Sequence, residues 1–300
     1  MTIEQVKTII ELPGTGILHR PAGYVPHVDP YRPTVALALS GGGTRGLAHI
    51  GVLQTLAEAD IVPEVVCGTS IGALVGAVYA DGRLPELERW VRELTWRRVM
   101  GYFDFSFGSG LLKGGRLFDH LRGDLLAKQI EQLQRPFAAV ATDLANGREV
   151  WLREGPVADA VRASIALSGL FTPWPRGDRL LVDGALVNPV PVSLARAMEA
   201  DLVIAVDLSS QQIGRYARIS RGKPTKRPGM LEVVTTSLNI MSERITRSRL
   251  AGGPADAIIQ PRLGALGLLE FHRGAEAIAE GRTAAGLAIP QIKQLIEDWN

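Results

Sequence analysis

The feature that most constrains this chain is a junction it makes twice in close succession: a short uncharged apolar run, then glycine, then apolar residues at helical spacing. The first is VALALS (Val35–Ser40), which runs into GGGTRG and then RGLAHIGVLQTLAEADI, with Leu47, Ile50, Leu53, Leu56 and Ala57 on one helical face. The second is EVVCGT, which reaches Ser70 and then IGALVGAVYADG, where Gly82 marks the stop. An apolar run without alternation is a strand buried on both faces, the habit of a parallel sheet. FAAVATDL, EVWLR, RLLVDG and LVIAVDL read as further strands, and VADAVRASIALS, PVSLARAMEA and LEVVTTSLNIMSERITRSRL as helices. The alternation predicts an α/β fold with a mostly parallel central sheet flanked by helices. One domain spans residues 34–300, and the Pro- and Gly-rich residues 1–33 form an N-terminal extension.

Composition narrows the function classes. The 33 basic and 31 acidic residues leave a net charge of +2, so no whole-molecule field draws the chain to nucleic acid. The opening MTIEQVKTIIELPGTG lacks the basic and apolar regions of an export signal, which predicts a cytoplasmic protein. The longest uncharged run, Val65–Ala80, has sixteen residues. That is short of the roughly 18 a spanning helix needs, and its internal GTSIG signals a turn. Cys67 is the only cysteine, so no internal disulfide forms; it reads as a small buried strand residue. One strongly basic stretch remains, Gly214–Gly229, with Arg215, Arg218, Arg221, Lys223, Lys226 and Arg227 and no acid. It suits either a solvated loop or contact with anionic lipid headgroups at the inner membrane surface.

The second junction reads Gly68-Thr69-Ser70-Ile71-Gly72, the Gly-x-Ser-x-Gly pattern of a nucleophile elbow. Small residues flank the serine because strand and helix approach too closely there for a side chain, and the helix N-terminus favours negative charge at the turn. The same pattern also suits a small residue at a buried strand-to-helix turn. The first junction, Gly41, Gly42 and Gly43, frees the backbone to turn several N–H groups to one side, which suits a phosphate or a tetrahedral oxyanion. No Gly-Lys-Ser/Thr follows, so it is not a Walker A loop. Gly41, Gly43 and Gly46 match a dinucleotide fingerprint formally, and a tight turn without a ligand also fits.

A nucleophile needs a base. Of the five histidines, His19 and His27 lie in the extension, His49 falls inside the first helix, and His120 follows an aromatic-rich stretch. Only His272, in LLEFHRGAEAIAEG, is late enough for a Ser-Asp-His order, and its segment reads as helix. The alternative is Asp183, which an apolar strand, RLLVDG, delivers onto Gly184. Asp143 and Asp207 also end strands, so position alone does not choose among the three.

Taken together, GGGTRG (Gly41–Gly46), GTSIG (Gly68–Gly72) and DGA (Asp183–Ala185) resemble, in order, the three motifs of the patatin-like phospholipase family. RASIALSGLFTPW resembles the family's Ala/Ser-rich helix leading into a Phe-x-Pro turn, and GLLEFHRGAEAIAEG the tail of bacterial single-domain members related to neuropathy target esterase. The resemblance implies a three-layer fold and a lipid ester hydrolase of phospholipase A or lysophospholipase type working through an acyl-enzyme. It implies Ser70 as nucleophile, Asp183 as base, the amides of Gly41, Gly42 and Gly43 as the oxyanion hole and Arg45 beside it, with no histidine, metal or cofactor. Ser40 departs from the Asp that plant patatins tend to carry before the glycines. Arg45 suits either a lipid phosphate or a salt bridge on the first helix. In Tyr102–Phe118, Tyr102, Phe103, Phe105 and Phe107 suit either a flap over an acyl groove, in transient contact with a bilayer, or core packing. The rival readings are a Ser-His-Asp esterase that needs His272, a non-catalytic lipid- or protein-binding member of the same fold, and a nucleotide-binding protein built on the Gly41 loop.

Overall fold

The computed structural model describes residues 32–102, 121–123, 125–209 and 229–299. The extension up to residue 31, the aromatic stretch beyond Tyr102, His120 and the basic stretch before Gly229 lie outside them.

Strands β1 (Val35–Leu39), β2 (Val65–Thr69), β3 (Phe137–Asp143), β7 (Leu202–Val206) and β8 (Ala257–Ile259) run parallel, in the order β3-β2-β1-β7-β8. Three antiparallel strands finish the sheet at the β3 end: β4 (Glu149–Leu152) and β6 (Arg179–Asp183) both pair with β3, and β5 (Trp174–Arg176) pairs with β6. Two of these strands escape the sequence reading. β5 and β8 are three residues each, and β5 has a proline at its centre, a composition that carries no strand signal.

The sheet's two faces differ in side-chain size. On β1, Val35, Leu37 and Leu39 point into the larger core cluster, while Ala36 and Ala38 point into the smaller one. The larger face carries α1 (Ala48–Glu58), α2 (Ile71–Ala80), α3 (Leu84–Arg92), α5 (Val157–Ser164) and α8 (Gly274–Glu297). The smaller face carries Ala36, Ala38, Cys67, Ala138 and Ala205 beside Val65, Val140 and Val203, and α6 (Val192–Ala197) packs against it, with Cys67 Sγ 3.4 Å from Met198 Sδ. Helix–sheet–helix layering is the three-layer α/β arrangement the sequence predicts. Burial pushes the Cys67 thiol far up, which leaves it inert. Two further helices are α4 (Trp96–Tyr102) and α7 (Met230–Gly252). Among the described residues no helix is long and apolar enough to cross a membrane.

The register of β3 decides where the site forms. Ala139 and Val140 pair with Gly68 and Thr69 of β2 on one side and with Leu152 and Trp151 of β4 on the other. Ala141 pairs with Val150 of β4, and on its other side, where β2 has just ended, with Asp183 of β6. β2 and β6 therefore meet nearly end to end along one edge of β3, so the residue after Thr69 and the last residue of β6 become neighbours.

Candidate functional site

Those neighbours are Ser70 and Asp183. Ser70 sits between β2 and α2 at φ 56°, ψ −125°, a conformation that costs a non-glycine residue on the order of 1–3 kcal/mol. The flanking glycines make so tight a turn possible. A Cβ on Gly68 would lie 2.4 Å from the Gly72 carbonyl oxygen, and one on Gly72 would lie 2.3 Å from the Leu39 carbonyl oxygen. The serine's backbone N–H donates to Ser164 Oγ of α5 (2.8 Å), whose own hydroxyl donates to the Val140 carbonyl (2.6 Å). Ser164 thereby ties the strained turn to β3; the sequence offered it only as one member of an Ala/Ser-rich helix.

The Ser70 hydroxyl donates to Asp183 Oδ2 at 2.6 Å. Asp183 Oδ1 accepts the Ala185 N–H at 2.8 Å, and the Asp183 N–H donates to Ala166, so the carboxylate is held from both sides. Burial pushes this carboxyl up to about 6, against the opposing effects of the Ser70 and Ala185 hydrogen bonds. The competing acids are engaged elsewhere. Asp143 accepts from Ala145 N–H and Asn146, and Asp207 from the Ser209 N–H and hydroxyl and from Gln260.

The glycine loop lies against this pair: a Cβ on Gly41 would come within 3.3 Å of Ser70 Cβ. Its amides are not equivalent. The N–H groups of Ser40, Gly41 and Thr44 donate to the carbonyls of Val206, Pro189 and Leu268. Gly41, expected to point its amide at an anion, has instead spent it on Pro189. Among the described residues the N–H groups of Gly42 and Gly43 have no acceptor. Gly43 is at φ 58°, and a Cβ there would lie 2.4 Å from the Leu268 carbonyl oxygen, so only glycine fits. Ser40, the departure from the plant pattern, is buried and accepts the Leu208 N–H on its hydroxyl.

Arg45 is buried at 3% exposure. Its Nε donates to the Gly42 carbonyl at 3.0 Å and its Nη2 to Asn239 Oδ1 of α7 at 2.8 Å. The guanidinium thus braces the loop as well as lining the cavity. No sequence pattern pointed to Asn239.

The histidines stand apart. His49 is fully buried, its Nε2–H donates to the Ser40 carbonyl, and burial lowers its pKa to about 4, so the ring is neutral. His272 precedes α8 in a 3-10 turn, Phe271–Arg273, rather than inside the helix, and its ring meets Trp96 edge-on at 5.6 Å. Ser70 and Asp183 open onto a cavity of about 150 Å³, walled mainly by apolar side chains, among them Leu74, Trp90, Leu121, Phe171, Leu208 and Phe271. A face of α7, comprising Thr235, Leu238, Asn239 and Ser242, forms its more polar wall.

A family model described as Patatin-like phospholipase matches residues 37–196, which hold the glycine loop, the Ser70 turn and Asp183. An uncharacterised NTE family protein of Mycobacterium tuberculosis is 33% identical over 86% of this chain and 91% of its own length. Patatin-like phospholipase domain-containing protein 6 of Mus musculus is 37% identical over 59% of this chain and 14% of that much longer protein. Among solved structures, VipD from Legionella pneumophila aligns with 87% of this chain and 67% of its own, at 13% identity and a TM-score of 0.49.

Proposed function

The chain belongs to the patatin-like phospholipase family, and we propose that it is a serine acylhydrolase that cleaves lipid esters, of phospholipase A or lysophospholipase type, through a Ser70–Asp183 dyad. The observation that carries this reading is the 2.6 Å hydrogen bond between the hydroxyl on a strained turn and a buried carboxylate, facing an apolar cavity.

Asp183 takes the Ser70 proton as Oγ attacks the ester carbonyl. A carboxyl raised to about 6 is a stronger base than an ordinary aspartate and is still ionised at neutral pH, the compromise general-base catalysis favours. The carbonyl oxygen becomes an oxyanion, which the Gly42 and Gly43 amides receive; one such donor is worth on the order of 3 kcal/mol. The N-terminus of α2, which begins at Ile71, adds positive potential beside the nucleophile. The protonated Asp183 then passes its proton to the departing alcohol, leaving an acyl-enzyme. Water, deprotonated by the same carboxylate, attacks the acyl carbon and releases the fatty acid. Apolar walls suit an acyl chain, and a lipid ester drawn from a bilayer would bring the cavity mouth into transient contact with the membrane surface.

The test is hydrolysis of lysophospholipid and short-chain p-nitrophenyl esters by the wild type, Ser70→Ala and Asp183→Asn, with folding checked by circular dichroism. Turnover by the wild type alone is the expected result. Retained turnover in folded Asp183→Asn would remove the dyad.

A further inference from the structure

An ester has an acyl side and an alcohol side, and the dyad distinguishes them. Asp183 protonates the departing alcohol, so the alcohol lies on the Asp183 side of the scissile bond. α7 packs on the turn Gly184–Leu186 that directly follows Asp183, and it supplies the more polar wall of the cavity. The apolar walls around Leu74, Trp90, Leu121 and Phe171 are left for the acyl chain.

That wall runs against the usual pattern. A surface helix normally turns its apolar side inward. α7 instead leaves Val233, Ile240 and Met241 exposed and turns Thr235, Asn239 and Ser242, with Leu238, towards the cavity. Two of these inward groups have hydrogen-bonding capacity to spare. Ser242 Oγ has no partner among the described residues, and Asn239, accepting from Arg45 on Oδ1, keeps its Nδ2 for another acceptor. Neither atom is a buried orphan, so both can be reached from the cavity. Three positions apart on one helix, they are neighbours. Among the described lining residues Arg45 is the cation, and it is engaged with Gly42 and Asn239. The wall therefore offers neutral hydrogen bonding rather than a charge.

We propose that Ser242 and Asn239 form the subsite for the leaving alcohol and bind a free hydroxyl on the carbon next to the one that carries the ester. A monoacyl ester of glycerol has that hydroxyl, whether it is a monoacylglycerol or a lysophospholipid. A simple alkyl ester lacks it, and in a diacyl lipid the second acyl chain occupies that oxygen. The assignment rests on the acylhydrolase reading and adds to it the residues that choose the alcohol.

The test compares the glycerol and propyl monoesters of octanoic acid, which share the acyl group and differ only in the hydroxyls of the alcohol. Ser242→Ala suits a half-buried helix position and should fold. It is expected to lower kcat/KM for the glycerol ester about 3- to 10-fold and to leave that for the propyl ester within about twofold, the loss of one hydrogen bond to substrate. Asn239→Leu should lower the ratio of the two kcat/KM values in the same direction; the ratio cancels any effect that this change has on the oxyanion loop. Lysophosphatidylcholine carrying the same acyl group has the same hydroxyl and should respond to Ser242→Ala as the glycerol ester does, and its wild-type rate beside that of the glycerol ester tells which of the two the site takes. An equal fall for the glycerol and propyl esters in Ser242→Ala would make the hydroxyl structural and overturn the proposal, and so would no fall for either. A wild type that turns over no ester would remove the acylhydrolase reading without removing this test. Glycerol octyl ether keeps the hydroxyls and cannot be hydrolysed; by calorimetry it should bind Ser242→Ala about 3- to 10-fold more weakly than wild type, and equal binding overturns the subsite.

Discussion

The two strand–glycine–helix junctions look alike in sequence and do opposite things. At the second, every constraint serves to present one side chain: Gly68 and Gly72 admit no Cβ, Ser164 takes the Ser70 N–H, and the hydroxyl is left for Asp183. At the first, the side chains are the supports and the backbone is what is presented, with Arg45 on the Gly42 carbonyl and Thr44 anchored on Leu268. A junction that presents a side chain can be read from that residue's identity. A junction that presents amides can be read only once the acceptors of its other amides are known.

The contrast can be broken or sharpened by mutation. Ser70→Ala should reduce kcat/KM by about 10⁴-fold or more while the fold survives, because one hydroxyl is all that the second junction offers. Gly43→Ala should cost about 100-fold in kcat, since a methyl 2.4 Å from the Leu268 carbonyl oxygen must displace the loop. Steady-state kinetics on both variants measure the two effects. A Gly43→Ala enzyme with wild-type kcat would mean that the loop presents nothing.

Acid should act through the second junction. Below about pH 6 Asp183 is protonated and cannot take the Ser70 proton, so kcat/KM should fall tenfold per pH unit and reach a plateau above neutrality. Stability runs the other way through this group. Between about pH 4 and pH 6 the folded chain retains a proton on Asp183 that the unfolded chain has lost, so this carboxyl's contribution to stability declines as the pH rises through that window. Asp183→Asn should therefore melt higher than wild type at pH 8 while being inactive; a lower melting point would argue against a buried charge at this position.

Smaller effects concern the supports. Ser164→Ala leaves the Ser70 N–H without its partner and should destabilise the fold by about 1–3 kcal/mol, read as a lowered midpoint in urea. His272→Ala should leave kcat within twofold of wild type, because its ring packs on Trp96 and takes no part in the Ser70–Asp183 pair. A large loss there would restore the Ser-His-Asp reading.

Much of the fold is legible in the chain because β1, β2, β3 and β7 are largely apolar runs without alternation, and β1 and β2 run straight into glycine-bearing turns. β5 and β8 are not legible, since three-residue edge strands take their structure from their neighbours. Ser70 stands out by its flanking glycines. Asp183 does not stand out from Asp143 and Asp207, which also end strands; it is singled out by the register of β3, where β6 takes over from β2 at Ala141, and that is a property of the sheet. The bonds of Gly41 to Pro189 and of Arg45 to Asn239 join residues far apart in the chain, and no local pattern encodes them.

The most direct test of the dyad is fluorophosphonate labelling followed by intact mass and peptide mapping, on wild type beside Ser70→Ala and Asp183→Asn. A stoichiometric adduct on Ser70 of the wild type, none on Ser70→Ala and sharply slowed labelling of Asp183→Asn is the predicted result. An adduct on another residue, or equal labelling of wild type and Asp183→Asn, would contradict it.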